Sequence, residues 1–94
     1  MRIRNFSHKG LQRLYDDEQT KGLPADCVNK LRRMFAVLDR LTSEEQLYRL
    51  PVWHAHELKG RRKGTWSFHV TANWRLTFAI EKDEICNVDL EDYH

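Results

Sequence analysis

At 94 residues the chain suits one domain, residues 1–94, with one modest core; a domain of this size buries roughly 60–65% of the surface its unfolded form exposes. Hydrophobic residues at 40% and charged residues at 32% describe an ordinary soluble protein, and no apolar run is long enough to span a bilayer. A net charge of +2 does not mark a nucleic-acid binder, so any such role has to rest on a local patch.

The N-terminal stretch MRIRNFSHKG is basic but lacks the apolar segment and cleavage site of a signal peptide, which makes the cytoplasm the expected compartment. Ile3 and Phe6 in IRNF suggest a brief strand. In HKGLQRLYDDE, Leu11, Leu14 and Tyr15 fall at i, i+3 and i+4 and predict a short amphipathic helix with Ser7 as its N-cap and His8 as a surface residue at its start. TKGLP breaks that helix, and Pro24 fits the first turn of the next. ADCVNKLRRMFAVLDRL then puts Val28, Leu31, Met34, Phe35, Leu38 and Leu41 on one stripe, the clearest helix in the chain, ending at Leu41-Thr42-Ser43. SEEQLYRL adds a helical turn with Ser43 as cap. Cys27 and Cys86 are too far apart for a zinc knuckle or a disulfide framework and read as small buried hydrophobes.

After Pro51 the pattern changes. PVWHAHELKGRRKG is polar, holds two glycines and reads as a loop. TWSFHVT alternates with Trp66, Phe68 and Val70 on one face; a turn at Ala72-Asn73 follows; WRLTFAI alternates with Trp74, Leu76, Phe78 and Ile80 inward; EKDE turns; ICNVDLE puts Cys86, Val88 and Leu90 on one face. These segments predict a three-stranded antiparallel meander with one buried face. The expected fold is α+β: two N-terminal helices packed on a small, mainly antiparallel β-sheet in two layers.

The opposite strand parity is polar. Ser67, His69 and Thr71, Arg75, and Asn87, Asp89 and Glu91 all point away from the helices on this reading. Charge is segregated as well: from Lys59 to Arg75 the charged residues are Lys59, Arg61, Arg62, Lys63 and Arg75, with no acid among them, and acids return from Glu81 to Asp92. The polar face can therefore receive the basic loop and the terminal Asp92, Tyr93 and His94. Arg75 alone is also explained as half of a cross-strand ion pair with Glu91 or Asp89. His54-x-His56 with His94 is a poor zinc set, lacking acidic or cysteine spacing, so no metal site is expected. Residue chemistry by itself stops at a small α+β domain with a basic, histidine-bearing face suited to RNA.

HELKG, then GTWSFHVTANWRLTF, then the terminal EDYH, in that order and spacing, resemble the HigB-type toxins of bacterial toxin–antitoxin systems, within the RelE/ParE superfamily; MRIRNFSHKGLQRLY and PADCVNKL extend the likeness over nearly the whole chain. The resemblance implies the RelE-like two-layer fold and a ribosome-dependent endoribonuclease that cuts mRNA in the ribosomal A site, stops translation and needs no metal or other cofactor. Carried onto this sequence it implies His56, Lys59, Arg75, Asp92, Tyr93 and His94 as catalytic residues. His56 and His94 are the expected proton-transfer pair, without a choice of which is base; Asp92 either serves as base or orients a histidine; Lys59 and Arg75 hold the phosphate; Tyr93 stacks on a base or donates to phosphate. Arg61, Arg62 and Lys63, in a loop more basic than the family pattern, are expected on ribosomal RNA, and Asn73 to shape the turn before Arg75, with RNA contact second. Glu57 is the acid expected beside His56. The implied partners are a HigA-type helix-turn-helix antitoxin, the 70S ribosome and mRNA, with operator DNA reached only through the antitoxin complex and no membrane. The rival readings are a ParE-like gyrase-inhibiting toxin and a non-catalytic RNA-binding module on the same fold.

Overall fold

In the computed structural model, residues 1–93 are described. Among them the chain runs α1 (Lys9–Asp17), a 3-10 turn (Ala25–Cys27), α2 (Val28–Arg40), α3 (Glu45–Tyr48), β1 (His56–Glu57), a second 3-10 turn (Gly60–Arg62), β2 (Thr65–His69), β3 (Trp74–Glu81) and β4 (Glu84–Asp92). The sheet has four strands in the order β1-β2-β3-β4, every neighbour antiparallel. None of the helices is long and apolar enough to cross a membrane.

One face of the sheet is the core. Trp66, Phe68, Leu76, Phe78, Ile85, Val88 and Leu90 pack against Leu11, Leu14, Leu31, Met34, Phe35 and Leu38 of α1 and α2, all of them buried. Edge contacts of Phe6 and Tyr15 with Phe35 close the helical side, and Leu47 anchors α3. These apolar periods are the ones read above, and they put helices and meander where expected.

Several local details differ from expectation. The cap of α1 is His8, not Ser7: its ring Nδ1 accepts from Leu11 N at 3.2 Å, so His8 is half-buried and structural. Ser43 is likewise no side-chain cap of α3, whose entry is instead tied by Gln46, which binds Thr42 through both ends of its amide. The segment expected as a wholly irregular loop contains β1. The N-terminal stretch is held along the outer edge of β4 by parallel bridges, Ile3 to Ile85 and Phe6 to Val88, and so covers an otherwise open edge.

The largest correction concerns Cys86. Thr77 pairs with Asp89 but Ala79 pairs with Cys86, so β4 carries an extra residue opposite Phe78. Asn87 (φ +55) takes the left-handed conformation of this bulge and binds Asn5 reciprocally. Beyond the bulge the parity flips. Ile85 takes the inward place, while Cys86, paired with Ala79, sits on the other face, although both cysteines are buried. At the β3–β4 turn Lys82 and Asp83 both have positive φ, +51 and +60, which matches the strand twist of a tight hairpin.

Candidate active site

The polar face is assembled by register. His56 pairs with Ser67, Ser67 with Thr77, and Thr77 with Asp89; one step along the strands, His69 pairs with Arg75 and Arg75 with Glu91. Paired residues share a face, so two rows of polar side chains cross the sheet opposite the core. With strands about 4.8 Å apart, His56 lies on the order of 10 Å from Thr77.

His56 is set by the turn before it. Trp53 and His54 both have positive φ, +60 and +45, a conformation costing bulky residues of the order of 1 kcal/mol or more each. Trp53 O accepts from His69 N at 2.7 Å, which fixes this turn to β2. The turn brings the His54 carbonyl to 2.7 Å from His56 Nδ1. A carbonyl only accepts, so Nδ1 carries the proton and Nε2 is the nitrogen left to take one up. The His54 and His56 rings lie 4.7 Å apart. Glu57, expected beside His56, faces the other way: its carboxylate accepts from the Tyr48 hydroxyl and from Gly64 N.

At the end of the meander, Tyr93 N donates to Asn73 O at 3.0 Å, which ties the backbone after β4 to the Asn73 turn. The Tyr93 hydroxyl is 2.9 Å from His69 Nδ1, and the Arg75 guanidinium carbon lies 5.5 Å from the Tyr93 ring centre. Arg75 donates to Glu91 at 3.3 Å, the cross-strand ion pair foreseen as its plainer explanation. Asp92 pairs with Trp74, one residue out of phase with the Arg75–Glu91 row. His94 lies outside the described residues.

The basic loop divides. Arg62 reaches across β2 and β3 to make a two-pronged pair with Glu91, at 2.7 and 2.5 Å. Lys59, Arg61 and Lys63 are exposed and have no hydrogen bond or ion pair from their side chains among the described residues. Glu91 also accepts from the Thr77 hydroxyl at 2.5 Å. The Arg62 hydrogen bonds, outweighing burial and joined by Thr77 and the charge of Arg75, hold its carboxyl down at about 2. Among the described residues, two polar atoms of the same face are buried without a hydrogen-bond partner, Ser67 Oγ and Arg75 Nε.

The structure thus gathers His56, Arg75, Tyr93 and Arg62 on one face and joins to them His69 and Glu91, which the sequence put on the polar face without a part in catalysis or RNA binding. Their parity was legible, since both alternate with core residues; that Glu91 would join two arginines was not, because it depends on where the 60–64 loop folds. Among the described residues no three His, Cys, Asp or Glu side chains gather into a metal-binding group.

A helical layer on one face of a four-stranded antiparallel sheet is the RelE-like two-layer fold. A YoeB/ParE toxin from Agrobacterium tumefaciens superposes with a TM-score of 0.65 at 14% identity over 100% of both chains. The YoeB dimer from Staphylococcus aureus does so with 0.61 at 18% identity, over 100% of this chain and 99% of that one. Residues 4–94 match the model of the RelE-like toxin of the type II toxin–antitoxin system HigB, and the chain belongs to that family. It is 38% identical over 92 residues to the endoribonuclease HigB of Proteus vulgaris, covering 98% of this chain and 99% of that relative.

Proposed function

We propose that this chain is a ribosome-dependent mRNA endoribonuclease, cutting mRNA in the ribosomal A site and so arresting translation in the cytoplasm. The observation that carries the reading is the near-full-length identity to a relative named as an endoribonuclease; the polar face is chemically suited to the same task. In the proposed reaction the ribose 2′-oxygen bonds to the adjacent phosphorus and the bond from phosphorus to the 5′-oxygen breaks. A base takes the 2′-hydroxyl proton, an acid gives one to the departing 5′-oxygen, and a cyclic phosphate and a 5′-hydroxyl remain.

His56 offers Nε2 for one of these transfers, because Nδ1 is engaged by the His54 carbonyl. His94 is proposed for the other, with Asp92 as base or orienting group. Arg75 and Lys59 counter the charge that develops on the phosphate. Tyr93, braced by His69 and Arg75, is proposed to stack on a base or to donate to phosphate. Arg61 and Lys63 are proposed to meet ribosomal RNA, as is Arg62 once released from Glu91, with Asn73 at the margin. No step requires a metal ion. A helix-turn-helix antitoxin of the HigA type is the proposed partner.

The test is primer extension on mRNA during translation, with chelator added in a parallel assay on a minimal RNA. Discrete cuts in translated message that survive EDTA in the minimal assay are expected. Growth arrest with inhibited DNA supercoiling and intact message would instead establish the gyrase reading.

A further inference from the structure

Glu91 is a charged group on this face to which the proposed chemistry gives no part. Its carboxylate receives both terminal nitrogens of Arg62, one of Arg75 and the Thr77 hydroxyl. Arginine meets phosphate with the same two-pronged geometry. The two halves of the pair are unequally fixed. Glu91 lies within a strand, with its side chain 21% exposed; the Arg62 side chain is 43% exposed. The turn carrying Arg62 has no buried residue, and Gly60 and Gly64 beside it sit at φ +70 and +95. Core packing does not hold this loop on the sheet, so the pair with Glu91 is its main tie across the strands.

Among the described residues, two polar atoms of the same face lack a hydrogen-bond partner. Ser67 is fully buried, lies between His56 and Thr77 in register, and its Oγ has no partner; Arg75 Nε has none either. Buried polar groups are nearly always paired. Arg75, whose side chain is 22% exposed, is the part of this patch that an entering phosphate can reach.

We infer that Glu91 is an internal stand-in for RNA phosphate, holding Arg62 across the sheet while the face is empty and yielding it to the RNA backbone when single-stranded RNA binds. Glu91 is thereby a specificity-determining residue. RNA that offers only diffuse negative charge has to break the pair to gain Arg62. RNA seated with a phosphate at Arg75 recovers part of that cost from the guanidinium it meets there. The inference rests on the endoribonuclease reading above.

The experiment measures binding of the full chain to a short single-stranded 2′-O-methyl RNA, which it cannot cut, across a range of salt. Glu91→Gln keeps a hydrogen-bonding side chain but removes the charge. It is expected to bind about fivefold more tightly at low salt, the scale of releasing one partly exposed ion pair, with a salt slope steeper by about 0.7. The gain is expected to vanish in the Glu91→Gln, Arg62→Gln double variant. Equal or weaker binding by a Glu91→Gln protein that melts cooperatively overturns the inference, as does a gain that survives in the double variant.

A second comparison does not need Glu91→Gln to fold. Arg62→Gln, on an exposed turn, is expected to lose less affinity than Arg61→Gln, because Arg62 gives up an ion pair to reach RNA and Arg61 gives up none among the described residues. An equal or larger loss at Arg62 overturns the exchange. Primer extension on translated mRNA separates the two claims. Cuts by the wild type without tighter Glu91→Gln binding retire this inference alone; tighter binding without cuts retires the nuclease reading alone.

Discussion

The two faces of one sheet are held by different physics. On the inner face Phe68, Leu76, Phe78 and Val88 are sealed against two helices, and any of them is exchangeable for another apolar group of similar volume at modest cost. On the outer face Arg75, Glu91, Arg62, Thr77, His69 and Tyr93 are joined by hydrogen bonds and ion pairs, with Ser67 Oγ and Arg75 Nε left unpaired among the described residues. Burial decides the inner face; directional contacts decide the outer one. The inner face therefore should govern melting and the outer face activity, and substitutions on the same strand, a residue apart, should separate the two.

The sharpest separation is between Phe78 and His56. Phe78→Ala is expected to cost about 3–5 kcal/mol, a large part of the ~5–15 kcal/mol typical of a folded domain, and to remove activity only by unfolding. His56→Ala is expected to leave the melting curve nearly unchanged and to slow cleavage by ~10²–10⁴-fold. Melting and primer extension on both variants check the contrast; a His56→Ala protein that still cuts at the normal rate would place the proton transfers elsewhere. Removal of His94 alone is expected to follow His56→Ala, with arrest of growth lost and the melt retained.

How far each face was legible follows from the same contrast. Apolar alternation marks burial directly, so α2 and the meander could be read from periodicity alone. β1 could not: His56 and Glu57 are two half-buried residues, too few to show a period. The bulge was hidden because an extra residue in β4 leaves every residue type in place and changes only which face Ile85 and Cys86 occupy; an asparagine in the left-handed conformation is its one local trace. His8 was hidden because an imidazole is not among the side chains that habitually cap helices. Of the outer face, parity revealed who shares it, and likeness to the family singled out His56, Lys59 and Arg75. The Arg62–Glu91 pair and the His69–Tyr93 contact depend on a loop and a chain end returning over the sheet, which no spacing encodes.

A second way to sharpen the comparison is to reverse charge in the loop. Arg61→Glu with Arg62→Glu is expected to weaken ribosome association and to make its salt slope shallower by about 1.4 to 1.8, since each of the two phosphate contacts contributes ~0.7–0.9. The fold should survive, because neither side chain enters the core. Sedimentation with ribosomes over a salt series checks this, and unchanged association would make the loop a solvated turn.

A smaller effect is expected with pH. The Glu91 carboxyl is held at about 2 by Arg62, Thr77 and Arg75, against about 4.3 for an unperturbed glutamate. Because the folded value lies below the unfolded one, the contribution is fully present above roughly pH 4.3 and is lost as pH falls through about 2. Wild type and Glu91→Gln should thus differ most in melting temperature at pH 5 and above, and converge toward pH 2. A constant difference across that range would mean that the charge of Glu91 does not stabilise the fold.

The finest division lies within Tyr93. Its hydroxyl meets His69, while its ring lies against Arg75. Tyr93→Phe removes the first contact and keeps the second. A neutral hydrogen bond at a site 37% exposed contributes no more than ~1 kcal/mol, so melting should barely move and cleavage should slow by less than about tenfold. Tyr93→Ala also removes the ring from Arg75, a contact of ~0.5–1 kcal/mol at an exposed site, and exposes the guanidinium to water on that side. It should therefore lose distinctly more activity than Tyr93→Phe. That order follows if Tyr93 works through its ring, as a surface for a base and a brace for Arg75. Were the hydroxyl itself to donate a proton to the leaving 5′-oxygen, Tyr93→Phe alone would cost ~10²-fold or more, and the two variants would be nearly equal. Single-turnover cleavage by both, beside their melting curves, decides between ring and hydroxyl.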